Sequence, residues 1–405
     1  MLTNRMKIFD SSQITKIKSS ETLRFVLLLF PPFLAIHCVE QIYFVYGNVL
    51  EDFGVSLEAT GWILSAYFLG VMLVRPFGGW MVENLGVRGT LTWGSALAFV
   101  GCAMLLFTRD PVLSFAGRAV SGAGFGVYTN GLFSYQAIIV PPESRTAIFA
   151  VVTSSGILPT GIITPIGEWL ISRSFIMPYL AIGPILALSC WYFGVKATGG
   201  TAVKQKEQEV WGAYRDLFAS RKFVFTVLTG TLMACVDSTT IIMSILASAN
   251  DTFASYFFMS FAAAACVVRI PCSKLLGRLP REKCVALSGL MMSLSVLGIA
   301  LWPSSESFLV GGVFFGIGIG SGWPIFHSMI SAALPVSLRP KGIATALLMY
   351  DLGWFITPII VGRLMVSFDI SAAFIALSLA IGTAQLALQI FFWLPESRKG
   401  DHCGA

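Results

Sequence analysis

Twelve apolar stretches divide this 405-residue chain, near 23–47, 58–82, 88–108, 111–138, 144–170, 176–195, 222–248, 252–276, 284–303, 307–333, 342–367 and 371–394. A helix needs roughly 20 mostly apolar residues to cross the hydrocarbon core of a bilayer. Segments 1 to 12, numbered in chain order, therefore read as spanning helices of an all-α membrane protein. Only 12% of the residues are charged, where a soluble domain carries about 25%. That excludes an ordinary soluble domain, a disordered chain and a disulfide scaffold. The 32 Phe and 39 Gly suit lipid-facing surface and close helix packing.

The one long polar interruption, Lys196 to Lys222, parts the segments six and six. It defines an N-terminal six-helix half over 1–195, a cytoplasmic linker over 196–221 and a C-terminal six-helix half over 222–405. Lys and Arg concentrate on the cytoplasmic side of membrane proteins. With a cytoplasmic N-terminus, 21 of the 27 basic residues fall on that side and only Arg109 and Arg173 on the other. Arg75, Arg118, Arg269 and Arg363 remain within segments. Both termini are thus expected in the cytoplasm of a multi-pass protein of the inner or plasma membrane, and the net charge of +6 implies no nucleic-acid partner. Pro31, Pro32 and Glu40 in the first apolar run, without a small-residue cleavage site, read as a retained helix and not a signal peptide. No CxxC occurs and only His37 and His327 lie in segments, so neither a metal nor a cofactor is expected.

A shift of 194 residues superimposes the chain on itself without a gap. Val74-Arg75 falls on Val268-Arg269, and Gly122, Gly124 and Gly126 fall on Gly316, Gly318 and Gly320. Ser134, Pro141, Arg145 and Ala150 fall on Ser328, Pro335, Arg339 and Ala344. Glycine periodicity alone does not align the Arg and Pro positions. Two pseudo-symmetric six-helix halves in the same orientation follow, an architecture of transporters.

The loop after segment 2 reads Gly79-Trp80-Met81-Val82-Glu83-Asn84-Leu85-Gly86-Val87-Arg88-Gly89, and segment 4 reads Arg118-Ala119-Val120-Ser121-Gly122-Ala123-Gly124. The first resembles the Gly-x-x-x-Asp-Arg/Lys-x-Gly-x-Arg/Lys-Arg/Lys loop of the major facilitator superfamily, with Glu for Asp and two basic positions replaced. The second resembles that family's Arg-x-x-Gln-Gly-x-Gly, with Ser for Gln. The resemblance covers essentially the whole chain. It implies that Gly79, Glu83, Gly86 and Arg88 belong to a conformational latch between the halves, and that segments 1, 4, 7 and 10 line a central cavity. Segment 5 holds Gly156, Pro159, Gly161, Pro165 and Gly167, resembling the antiporter signature but without its Gly-Pro-x-x-Gly-Gly ending.

Ionisable groups inside a membrane demand a partner or a cavity. His37, Glu40, Gln41 and Phe44 recur at steps of three and four on one face of segment 1, just past a kink expected at Pro31-Pro32. Segment 4 carries Arg118, Tyr128 and Asn130. Counting at 1.5 Å per residue, Glu40 and Arg118 both lie about 10 Å below the outer boundary. Together they read as a proton-coupling site, because protonation of a buried carboxyl responds to a nearby cation; the alternative is a permanent structural ion pair. Asp237 in segment 7, with Trp323 and His327 in segment 10, completes the expected substrate cavity of His37, Gln41, Phe44, Tyr128, Asn130, Asp237, Trp323 and His327. Arg75 and Asp351 lie at similar depth on segments 2 and 11, which the resemblance places side by side, and form the second part of the latch. Arg269 reads as an anchor snorkelling to the interface. Glu168 and Arg363, near the outer ends of segments 5 and 11, are expected at the vestibule.

No GxxxxGK[ST] loop occurs, which excludes a built-in ATP motor. Clustered His and acids for a membrane-embedded hydrolase are lacking as well, so an enzyme is not expected. The reading is a monomeric secondary transporter moving a small organic solute by proton-coupled efflux (antiport), energised by a proton gradient. Its partners are protons, the lipid bilayer and an amphipathic or cationic small molecule. A proton-coupled importer and a non-transporting receptor of the same fold are the alternatives.

Overall fold

The computed structural model describes residues 11–140, 148, 152, 154–199, 214–270, 280–335 and 338–402. Pro141, Arg145, most of the linker with Lys204 and Lys206, and Lys274 and Arg278 lie outside the described residues.

Among the described residues the chain is helical throughout, because each apolar stretch must close its backbone hydrogen bonds within itself. Segment 1 is α1 (Ser11–Gln41), a 3₁₀ stretch (Ile42–Val45) and α2 (Tyr46–Asp52). Next come α3 (Leu57–Val74), a 3₁₀ stretch (Arg75–Phe77), α4 (Gly78–Phe107), α5 (Pro111–Ile139), α6 (Leu158–Ser172) and α7 (Ile176–Ala197). Segment 7 repeats the pattern of segment 1, with α8 (Arg221–Asp237), a 3₁₀ stretch (Ser238–Ile242) and α9 (Met243–Ser248). The rest is α10 (Ser255–Arg269), α11 (Arg281–Leu301), α12 (Ser305–Ala332), α13 (Arg339–Ser367), α14 (Ile370–Leu388), a π-helical turn (Gln389–Trp393) and α15 (Leu394–His402). Eight helical stretches among the described residues are long and apolar enough to cross a membrane. Side-chain caps fix several starts: Asp110 Oδ1 accepts from Leu113 N at 2.9 Å before α5, and Ser304 forms a reciprocal capping box with Ser307 before α12.

The helix of segment 1 runs through Pro31 and Pro32 and departs from α geometry only at Ile42–Val45. Neighbouring hydroxyls meet the carbonyls of this region: Thr164 Oγ1 donates to Gln41 O at 2.9 Å and Tyr179 Oη to Ile42 O at 2.9 Å. Partners of this kind make a break tolerable at membrane depth. In the loop motif the chain turns at Gly86, whose φ of 67° favours glycine. Gly79 and Glu83 precede that turn within α4 and Arg88 follows it.

Glycines set the packing. A Cβ on Gly122 would stand 1.8 Å from Tyr67 O, one on Gly124 2.3 Å from Ala98 N, and one on Gly126 2.5 Å from Val74 Cγ2. Their counterparts Gly316, Gly318 and Gly320 face Phe261 O at 2.4 Å, Met292 Cγ at 2.6 Å and Val268 Cβ at 3.1 Å. Each of these neighbours also lies 194 residues further on. Elsewhere α3 packs along α13 and α6 along α10, and the two 3₁₀ stretches at 42–45 and 238–242 touch.

Candidate functional site

Glu40 sits one residue pair before the 3₁₀ break of segment 1, where the centre of the bundle is reached. It is 9% exposed and makes no hydrogen bond or ion pair among the described residues. The fields of Arg118, Asp237, Asp351 and Arg75 all act on it. Arg118, projecting from α5, is 1% exposed. No carboxylate lies within 4 Å of its guanidinium among the described residues. Instead the guanidinium rests on aromatic faces, 4.6 Å from the Tyr67 centroid and 5.3 Å from that of Tyr43, and its Nε and Nη1 have no hydrogen-bond partner among the described residues. A desolvated cation over two ring faces is held by the ring quadrupoles. Among the described residues Glu40 and Arg118 make no contact ion pair, the alternative reading of the two.

One turn before Glu40, His37 faces α5, 5.4 Å edge-on to Phe125, with Nδ1 2.7 Å from Phe33 O. On the far side Phe44 meets Phe258 at 6.2 Å and Trp354 at 6.1 Å, and Trp354 packs on Phe68 at 4.6 Å. These rings join segment 1 to α10, α13 and α3.

A second cluster forms on α8, α12 and α13. Tyr350 Oη donates to Asp237 Oδ2 at 2.8 Å. The Tyr350 ring lies 4.6 Å from Trp323, and Trp323 lies 4.4 Å from His327. The hydroxyls of Ser238, Thr239 and Thr240 turn back onto the carbonyls of Cys235, Val236 and Asp237, satisfying backbone at the 3₁₀ stretch. Among the described residues no three His, Cys, Asp or Glu converge as metal ligands.

Three residues expected at the cavity make other contacts. Gln41 is spent on α6: its Nε2 donates to Gly156 O at 2.5 Å and its Oε1 accepts from Thr160 Oγ1 at 2.6 Å. Tyr128 is fully buried against α4 and α7, donating to Cys190 O at 2.6 Å. The 3.6-residue period turns it away from the centre, onto the notch at Gly94. Asn130 packs against Gly78 at the start of α4, a full three turns from the level of Arg118. Nor does Arg269 snorkel: its Nη2 reaches Ile319 O on α12 at 3.4 Å. Tyr43, Tyr67, Tyr350 and Trp354 are site residues that the sequence reading passes over. The signal for the first two is Arg118 itself, which needs a seat that no acid on its own face supplies.

Charged groups tie the helices at both ends of the bundle. Arg75 grips Asp351 through Nε–Oδ2 and, at 3.0 Å, through Nη2–Oδ1. At the other end of the same α3–α13 contact, Arg363 Nη1 donates to both carboxylate oxygens of Glu58 at 2.7 Å. Glu168 of α6, expected at the vestibule, accepts from Ala254 N and Ser255 N at 2.7 Å each and from Ser255 Oγ. It caps the N-terminus of α10, where a carboxylate meets free amides and the positive end of the helix dipole.

The apolar helical bundle with a charged, aromatic-walled centre defines an integral membrane protein. The sequence profile of the Major Facilitator Superfamily matches residues 29–305 and 227–402; the chain belongs to that superfamily, one of transporters and not of enzymes. Among individual relatives, it is 26% identical over 143 residues to the Major facilitator superfamily multidrug transporter mfsC of Aspergillus fumigatus, taking in 35% of this chain and 28% of that one. It is 27% identical over 161 residues to the Quinolone resistance protein NorA of Staphylococcus aureus, taking in 39% of this chain and 40% of that one. The matches thus span less than half the length of these curated relatives. A POT family transporter solved with a thioalcohol-conjugated peptide superimposes with a TM-score of 0.76 at 13% identity, over 92% of this chain and 96% of that one. A POT family transporter solved with 5-aminolevulinic acid gives 0.73 at 14% identity, over 94% and 96%. At such identity the likeness is one of fold alone.

Proposed function

We propose that the chain is a secondary active transporter that moves a small organic solute outward by alternating access, in exchange for protons. The observation that carries this reading is Glu40: an acid at the centre of the bundle, without a direct partner, in the field of a cation seated on tyrosines. Such a carboxyl can take up a proton or release it as the cavity opens to one side or the other, while Arg118 stays fixed. In this reading the chain crosses the membrane twelve times, as two six-helix halves with both termini in the cytoplasm. The glycine contacts that recur 194 residues apart support the halves, and the 21-to-2 division of basic residues supports the orientation. The multidrug and quinolone-resistance relatives favour efflux over import. The working unit is a monomer, its energy source the proton gradient, and its solute amphipathic or cationic. The test is reconstitution in vesicles. Candidate solutes added to one side should release or take up protons only where the chain is present, and a screen of cationic and amphipathic compounds without any proton movement contradicts the reading.

A further inference from the structure

Arg269 is the repeat counterpart of Arg75, 194 residues on. Arg75 has Asp351 as its partner across the α3–α13 contact. The corresponding contact is that of α10 with α6, and the position corresponding to Asp351 is Ile157, which is buried. Arg269 has thus kept its charge without the acid that pairs its counterpart. A guanidinium at this depth is expensive to keep without an anion, and no carboxylate pairs with it among the described residues.

The surroundings of Arg269 show what its charge faces. Nη2 donates to Ile319 O at 3.4 Å, one helical turn before Trp323, and Nε has no hydrogen-bond partner among the described residues. Among the described residues no carboxylate lies within 4 Å, yet Asp237 and Tyr350 act on it electrostatically, and its field reaches His327. From Ile319 the wall continues through Trp323 to Tyr350, 4.6 Å away, and Tyr350 Oη ends on Asp237 at 2.8 Å. A cation and an anion therefore stand at the two ends of an aromatic wall without touching each other.

We infer that this wall is a two-ended site for zwitterionic aromatic solutes: Arg269 receives a carboxylate, Asp237 an ammonium group, and Trp323 and Tyr350 the ring between them. The inference rests on the transporter reading and narrows its solute from a cation to a molecule bearing both charges. Arg269 becomes a specificity-determining residue, since a half-buried guanidinium left without its anion penalises every solute that lacks one.

The test is equilibrium binding to the purified full chain in lipid nanodiscs, with no gradient, followed by tryptophan fluorescence. The probes are a series of aromatic amino acids, aromatic dipeptides and fluoroquinolones, each paired with its ester, which keeps the amine and loses the carboxylate. In the unaltered protein at least one zwitterion should bind about tenfold more tightly than its ester, the worth of one charge-assisted contact. Arg269→Gln should bring that ratio to about one, and Arg269→Lys should restore part of it. Folding of each variant is checked by retention of Tyr350-dependent binding of the esters relative to Tyr350→Phe. A series in which no zwitterion outbinds its ester, or a preference that survives Arg269→Gln, overturns the inference. Proton exchange driven by cationic solutes is a separate measurement. If it persists while the zwitterion preference is absent, only the two-ended site falls; if it is absent too, the transporter reading falls with it.

Discussion

Arg75, directly after α3, and Asp351 of α13 hold each other by two parallel contacts at one end of a helix pair whose other end is held by Glu58 and Arg363. The two ties differ in burial: the side chains of the first are 14% and 9% exposed, those of Arg363 and Glu58 68% and 40%.

That difference sets unequal consequences. Removing one partner of a buried pair leaves an uncompensated charge at about 3–5 kcal/mol, whereas an exposed pair contributes about 0–1 kcal/mol. Arg75→Ala or Asp351→Asn should shift the resting population toward opening at that end by more than about tenfold, at 1.4 kcal/mol per tenfold. Glu58→Gln should change it little. Spin-label distances across the two faces read both, and Arg75→Asp with Asp351→Arg should restore the starting distribution. Unchanged distances in the Arg75 and Asp351 single variants contradict a latch.

Arg118 depends on ring faces and not on hydroxyls, since Tyr67 Oη has no hydrogen-bond partner among the described residues. Tyr67→Phe should therefore leave thermal stability and transport close to unchanged. Tyr67→Leu removes a desolvated cation–π contact of about 2 kcal/mol and should lower both. Equal losses in the two variants would assign the hydroxyl a role that the geometry does not give it.

Gln41, read from the sequence as a cavity residue, is committed to α6 by its side chain. Gln41→Leu should lower unfolding stability by about 1–3 kcal/mol, the range for stranding buried polar partners, without altering the ranking of solutes. A changed ranking at unchanged stability would return Gln41 to the solute pathway.

The glycine notches make a parallel test of the repeat. Gly122→Ala and Gly316→Ala force a methyl against backbone carbonyls and should each destabilise the fold by about 1–3 kcal/mol. Gly298, with nothing within 4 Å of an added Cβ, should tolerate Ala or gain up to about 1 kcal/mol from helix propensity. Thermal unfolding of the three variants in detergent checks the order.

The sequence is legible wherever a single residue type has no substitute. Gly122 and Gly124 keep one register with Gly316 and Gly318 because a backbone contact below 3 Å admits no side chain. Arg75 and Asp351 can be matched because two opposite charges at one depth in a membrane have few other solutions. What the sequence does not carry is azimuth. Helical period shows that His37, Glu40 and Gln41 lie close together on a face, but not that Gln41 stands on its edge and meets Thr160 while Glu40 faces the centre. The same limit misplaces Tyr128, whose ring serves the α4–α7 side. Tyr43 and Tyr67 go unnoticed because an aromatic residue in an apolar helix looks like core until the cation above it is seen. The capping role of Glu168 escapes for a further reason: two of its three partner groups are backbone amides, of Ala254 and Ser255, which leave no trace in side-chain pattern.

Asp237 accepts from Tyr350 and stands in the aromatic cluster, apart from Arg118 and its tyrosines. Asp237→Asn should weaken binding of cationic solutes by about tenfold, as loss of one charged hydrogen bond implies, while neutral solutes still drive proton movement. Equal loss for both kinds of solute would make Asp237 the proton carrier.

The central claim is that Glu40 carries the exchanged proton, and vesicles with an imposed pH gradient test it most directly. Uptake of a transported solute into inside-out vesicles is measured with and without the gradient, for the unaltered chain and for Glu40→Gln. The account predicts that Glu40→Gln still binds solute and exchanges it across the membrane at equilibrium, yet no longer accumulates it when the gradient is imposed. Gradient-driven accumulation that continues at full rate in Glu40→Gln would contradict it and pass the role to Asp237 or Asp351.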